Sequence, residues 1–248
     1  MGDGLDQQVS LRQILVVTDG CSNVGGDPVE SATRARRQNI VVNVIGVVDK
    51  GDMGRQGRKE AESIAQAGGG MCRIVQPMDL SATAQMVTHQ TMSLTLQQVV
   101  NRELLQMMGK STEDLPPHER ASLMQVVDKL EEELNLELVV AVDTSASMRE
   151  KLQTVREAIH DLALSLSARV GRAQVAILAF PGQHDAPADV LQPFETKVNV
   201  QVVEKLTIAR GGTPTGPAIE AAIDLIVTNK QANTPEDSDW TGGKTFAQ

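Results

Sequence analysis

Short runs of β-branched and aliphatic residues alternate along the chain with longer stretches whose apolar positions recur at helical spacing. The runs cover residues 14–18, 40–48, 72–75, 136–142 and 174–180. Near-continuous apolar runs of this length predict strands buried on both faces, as in a parallel sheet covered by helices. Residues 189–194 predict a short edge strand, after the stop signal Pro181-Gly182.

Helices are predicted between these runs. Asp27-Pro28 opens one that reaches about Arg37, with Asp as cap and Pro at the first helical position. Residues 59–67 predict a short helix ended by Gly68-Gly69-Gly70, and residues 80–108 a long helical region with room for one break. Residues 119–134 form an amphipathic pattern with Glu131-Glu132-Glu133 as its solvated end. Residues 148–170 carry Val155, Ile159, Leu162 and Leu166 on one face. Further helices are expected at 200–206 and 218–227.

The Gly-bearing stretch 51–57 predicts a flexible connection, because no Gly-Lys-Ser/Thr follows to make it a phosphate loop. Residues 109–117, with Gly, Ser, Thr, Asp and a Pro-Pro pair, predict a linker. From Asn229 the chain is polar, and residues 229–248 predict a disordered tail with Trp240 exposed. Strands alternate with helices in both halves, which predicts an α/β domain around a mostly parallel sheet. The two halves share element types but no motif, so there is no internal repeat.

Composition narrows the function classes. Aromatics are 2% of 248 residues and Tyr is absent, so the core must be filled by Val, Leu, Ile, Ala and Met. A net charge of −9 argues against nucleic acid, which calls for a basic footprint. Cys21 and Cys72 stand far apart without CxxC spacing and predict two free thiols. The acidic start Met1-Gly2-Asp3-Gly4-Leu5-Asp6 lacks the apolar stretch of a signal peptide, and no apolar run reaches membrane-spanning length. The expectation is a cytoplasmic protein that binds neither membrane nor nucleic acid. His89, His118, His160 and His184 are scattered without HxxxH spacing and predict surface or interface positions.

The chemistry is concentrated at Asp143-Thr144-Ser145-Ala146-Ser147, directly after the run 136–142. One carboxylate and two hydroxyls spaced by two residues can converge on a hard cation, since Mg²⁺ takes oxygen ligands. The competing reading is a strand-to-helix turn with Ser147 as helix cap. Two more segments share this character: Thr18-Asp19-Gly20 after a strand, and Gly212-Thr213-Pro214-Thr215 before a helix.

Together the three segments resemble the metal-ion-dependent adhesion site of von Willebrand factor type A domains. The resemblance implies that Asp143, Ser145 and Ser147 form the first motif and Thr213 the second, with Thr215 as the alternative. Thr213 is preferred because it lies five residues before Ala218, the expected helix start. Asp19 becomes the third-motif carboxylate, often acting through water. The motif order departs from the family, with the third motif first, so the chain resembles a circularly permuted A domain. Residues 11–109 correspond to the family's C-terminal half, 136–228 to its N-terminal half, and 110–135 to a helical connector; 1–228 form one domain. The implied fold is a doubly wound α/β sheet with helices on both faces. Domain termini commonly lie close together, which makes such a permutation physically tolerable. The likeness extends to the permuted A-domain proteins of spore-forming Firmicutes, the YabS-like group, and through them implies a role in sporulation.

The expected function is a protein-binding module that is not an enzyme. It would hold Mg²⁺, or Mn²⁺ in its place, and engage a partner's Asp or Glu. The rivals are a phosphohydrolase with an aspartyl nucleophile and a scaffold with a vestigial site. The first wants an acid two positions after its nucleophile, where this chain has Ser145.

Overall fold

A computed structural model describes residues 10–48, 54–184, 186–207 and 211–232. They form six strands and seven α-helices: β1 Ser10–Thr18, α1 Pro28–Arg37, β2 Ile40–Val47, α2 Gly54–Ala67, β3 Gly69–Val75, α3 Leu80–Met108, α4 Pro117–Glu133, β4 Asn135–Asp143, α5 Leu152–Ser167, β5 Ala173–Phe180, β6 Asp189–Glu195, α6 Val200–Val203 and α7 Thr215–Ala232. The sheet order is β3-β2-β1-β4-β5-β6. All neighbours are parallel except β5 and β6, which are antiparallel.

The apolar runs are continuous because both sheet faces are covered. Leu136, Leu138, Val140 and Val142 of β4 pack into one layer with α3, α4 and α5. Val139 and Ala141 of the same strand face the other layer, formed with α1, α2 and α7. Full burial of a Leu or Val side chain is worth about 1.5–3 kcal/mol, so a one-residue slip of β4 would be opposed on both faces. Phe180 is fully buried at the end of β5, and Phe194 of β6 packs partly buried against the same layer.

The chain builds outward from β1 to β3, returns through α3 and α4, and builds outward in the other direction from β4 to β6. The order therefore reverses between β1 and β4, and open α/β sheets bind ligands in the crevice beyond the carboxyl ends of such a pair. The register aligns Val17 with Val142, so the next residues, Thr18 and Asp143, end their strands side by side.

Several local expectations are corrected. The region 80–108 is one unbroken helix of 29 residues, ended by Gly109 in the left-handed conformation (φ 65°), whose N–H donates to the Leu105 carbonyl at 3.1 Å. Gly54–Gly57 belong to α2 rather than to a loop; 51–53 lie outside the described residues. The helix expected over 148–170 is shorter: a 3-10 turn covers Ala146–Met148 and α5 spans Leu152–Ser167. The helix expected over 200–206 is the single turn of α6. Helix α7 starts at Thr215 and continues past Asn229 to Ala232, so the tail cannot begin at 229. Residues 233–248, Trp240 among them, lie outside the described residues.

His89 sits at an interface, its Nε2 3.4 Å from Ser165 Oγ of α5 and its Nδ1 3.9 Å from Glu131 of α4. Both cysteines are free. No helix among the described residues is long and apolar enough to cross a membrane.

Candidate metal centre

The carboxyl end of β4 delivers Asp143 into the crevice as a fully buried side chain. Its two oxygens are held separately: Thr18 Oγ1 donates to Oδ2 at 2.7 Å, and the Ser145 backbone N–H donates to Oδ1 at 2.8 Å. Burial pushes its pKa up. The hydrogen bonds from Thr18 and Ser145 pull it back, and the nearby Asp19 charge adds to the upward push. Thr144 ties the turn to β5 through its N–H, which donates to the Phe180 carbonyl at 2.7 Å.

Asp19 arrives from the end of β1, and its side chain is only 5% exposed. Its Oδ1 accepts from Ser147 Oγ at 2.8 Å, and Ser147 Oγ is 3.2 Å from Ser145 Oγ. Asp143, Ser145, Ser147 and Asp19 are therefore joined by a continuous set of short polar contacts, across 124 positions of sequence (143 − 19). The helix-cap reading of Ser147 does not hold: it lies inside the 3-10 turn, and the position preceding α5 is Lys151.

The third segment reaches this crevice through the loop after β1. Asn23 Oδ1 accepts from the Thr213 N–H at 2.6 Å, while the Thr213 carbonyl accepts from the Asn23 N–H and from Ser22 Oγ, both at 3.2 Å. Glycine makes the approach feasible. A Cβ on Gly212 would lie 2.2 Å from Asn23 Oδ1, and one on Gly216 would lie 2.4 Å from the Gly26 carbonyl oxygen. Thr213 and Thr215 are both buried. Because α7 begins at Thr215, Thr213 stands two residues before the helix, and the five-residue spacing used to prefer it loses its basis.

The donor set suits a hard cation. Among the described residues no three His, Cys, Asp or Glu side chains converge as a metal cluster. What converges here is two carboxylates with serine hydroxyls, all oxygen, which is the chemistry of Mg²⁺ rather than of zinc bound by Cys or His.

Three contributors were not legible in the chain. Thr18 stands in the segment Thr18-Asp19-Gly20, but its role depends on the β1–β4 register. Asn23 is an ordinary loop residue with no signal. Lys151 donates from Nζ to Asp19 Oδ2 at 2.8 Å and to the Ser147 carbonyl at 3.2 Å; its one local hint is the four-residue spacing from Ser147.

The family model described as "von Willebrand factor type A domain" matches residues 138–237. The chain is 45% identical over 214 residues to the uncharacterized protein YabS of Bacillus subtilis, covering 86% of this chain and 87% of that one. It is also similar to the crystal structure of an uncharacterized protein from Alicyclobacillus acidocaldarius, with 64% identity and a TM-score of 0.86. That match covers 90% of this chain and 96% of the other.

Proposed function

The chain belongs to the von Willebrand factor type A family, and we propose that it is a divalent-cation-dependent protein-binding module that engages an acidic residue of its partner. The observation that carries this reading is the convergence of Asp19, Asp143, Ser145 and Ser147 at the point where the strand order reverses. We assign these four as the cation-holding set, with Thr213 as the hydroxyl of the second motif and Thr215 as the alternative. A bound Mg²⁺, or Mn²⁺ in its place, supplies positive charge and an open coordination position that an incoming Asp or Glu completes. Such a local charge reverses the preference that a net −9 would otherwise set against acidic partners.

The protein's own groups do the positioning. Thr18 and the Ser145 N–H fix the Asp143 carboxylate in one orientation. Asn23 fixes the Thr213 backbone against the loop that carries Asp19. The arrangement favours binding over hydrolysis. Asp143 is fully buried with both oxygens already accepting, which is a poor posture for a nucleophile, and Lys151 pairs with Asp19 instead. A cytoplasmic site of action and a part in sporulation accompany the likeness to the YabS-like group. Disruption of the gene in its host, scored for spore yield, tests the latter.

Calorimetric titration with Mg²⁺ and Mn²⁺ should show binding that Asp143→Ala abolishes while circular dichroism reports an intact fold. A partner captured from lysate should be released by chelator, and Thr213→Ala should weaken its capture. Undiminished capture in excess chelator would make the site vestigial. Phosphoester turnover lost in Asp143→Asn would establish the hydrolase reading instead.

A further inference from the structure

Lys151 is the least expected group at this site. Its side chain is only 10% exposed, and lysine is rarely buried unless paired. It also stands immediately before α5, where the positive end of the helix dipole disfavours a cation and would favour an acid. Two unfavourable terms, burial and a like-signed dipole, act on one ammonium group. Its compensating contacts include Asp19 Oδ2 at 2.8 Å and the Ser147 carbonyl at 3.2 Å, both on residues of the candidate cation set.

That pairing changes the charge of the site. Asp143 and Asp19 together bring two negative charges, and Lys151 returns one positive charge within direct contact of Asp19. We propose that Lys151 is a charge-setting residue, which weakens the chain's own hold on a divalent cation and strengthens the demand for an anionic partner. The inference rests on the cation-binding reading above and goes beyond it by naming what sets its selectivity. With Lys151 in place, a divalent charge exceeds the net charge of the protein groups around it by one more unit. An incoming carboxylate is then the group that restores neutrality. With a neutral side chain at 151, the two aspartates would satisfy the cation themselves, and an outside carboxylate would gain less. Lys151 acts through Asp19 and is a positioning and charge-setting residue rather than a ligand.

The test uses the full chain and Mn²⁺ alone. Isothermal titration is run on wild type, Lys151→Gln, Lys151→Met and Lys151→Arg, with Asp143→Ala as the control for the site and circular dichroism in chelator as the control for the fold. Gln keeps an N–H donor for Asp19 without the charge, Met keeps the bulk, and Arg keeps the charge. The expected result is about tenfold tighter Mn²⁺ binding in the Gln and Met variants, equivalent to about 1.4 kcal/mol, with Arg near wild type. A second arm measures line broadening of the acetate methyl resonance at equal Mn²⁺ occupancy. Broadening should be stronger in wild type than in Lys151→Gln. Wild-type binding with unchanged or weaker affinity in Lys151→Gln would overturn the proposal and leave the cation site standing. So would loss of the fold in all three variants, which would make Lys151 a structural tie between β1 and α5. A folded wild type that binds no Mn²⁺ would overturn the cation-site reading itself, and this proposal with it.

Discussion

Gly212→Ala probes whether the loop approach at the crevice is as tight as the geometry requires. The new Cβ would lie 2.2 Å from Asn23 Oδ1 and 2.3 Å from Val24 Cγ2. Val24 is half exposed and can swing aside. Asn23 can move only by giving up the bond that its Oδ1 accepts from the Thr213 N–H at 2.6 Å. Leaving a buried donor without its partner costs about 1–3 kcal/mol. For a chain of this size that corresponds to a drop in melting temperature of about 2–12 °C. Thermal melts in chelator measure it without interference from bound cation. Asn23→Ala removes the same hydrogen bond directly and should cost a similar amount. Since both changes act on one bond, the double variant should be little worse than Asn23→Ala alone. A Gly212→Ala chain that melts with wild type, or two costs that simply add, would show that the methyl is accommodated without displacing Asn23. In Mn²⁺ titrations the same variant should also weaken binding, because Thr213 loses its anchor.

Asn43→Ala strands two donors, Thr91 Oγ1 and the Met71 N–H, both at 2.9 Å from Asn43 Oδ1. It should cost about 2–6 kcal/mol in urea unfolding, and a loss below 1 kcal/mol would contradict the network. Burial raises the Asp143 pKa in the folded, metal-free chain, so the fold holds that proton more tightly than the unfolded chain does. This contribution is fully present below the unfolded pKa and is lost as pH rises through the folded value. In chelator, Asp143→Asn should therefore melt above wild type at neutral pH, with the gap closing on acidification into the carboxylate range; a gap that widens toward acid would reverse the sign. Burial, with the Glu62 charge behind it, pushes the Cys72 thiol up to about 11. In a Cys21→Ala chain, iodoacetamide alkylation of Cys72 should keep rising about tenfold per pH unit through pH 10, since the thiolate is the nucleophile; a plateau near pH 9 would refute the shift.

What the chain declared by itself was local. Runs such as 136–142 were readable as strands because a strand covered on both faces has no polar face to interrupt the pattern. Asp27-Pro28 marked the start of α1 because capping and the fixed Pro φ act within one turn, and the Asp27 side chain does accept from the Val29 N–H at 2.8 Å. Asp143, Ser145 and Ser147 were readable together for the same reason: they alternate within one five-residue stretch of backbone, 143–147. Element ends were less legible. The start of α5 moved from 148 to Leu152 because the turn carrying the serines is held by Asp143 and Asp19, not by helix capping. Tertiary structure alone decided which distant groups complete the crevice. Thr18 meets Asp143 through the β1–β4 register, Asn23 meets Thr213 because Gly212 lets two loops touch, and Lys151 meets Asp19 across 132 positions. A hydrogen bond or ion pair leaves no periodic trace in sequence. Its partners are set by how the sheet stacks its strands, and that is a property of the whole fold.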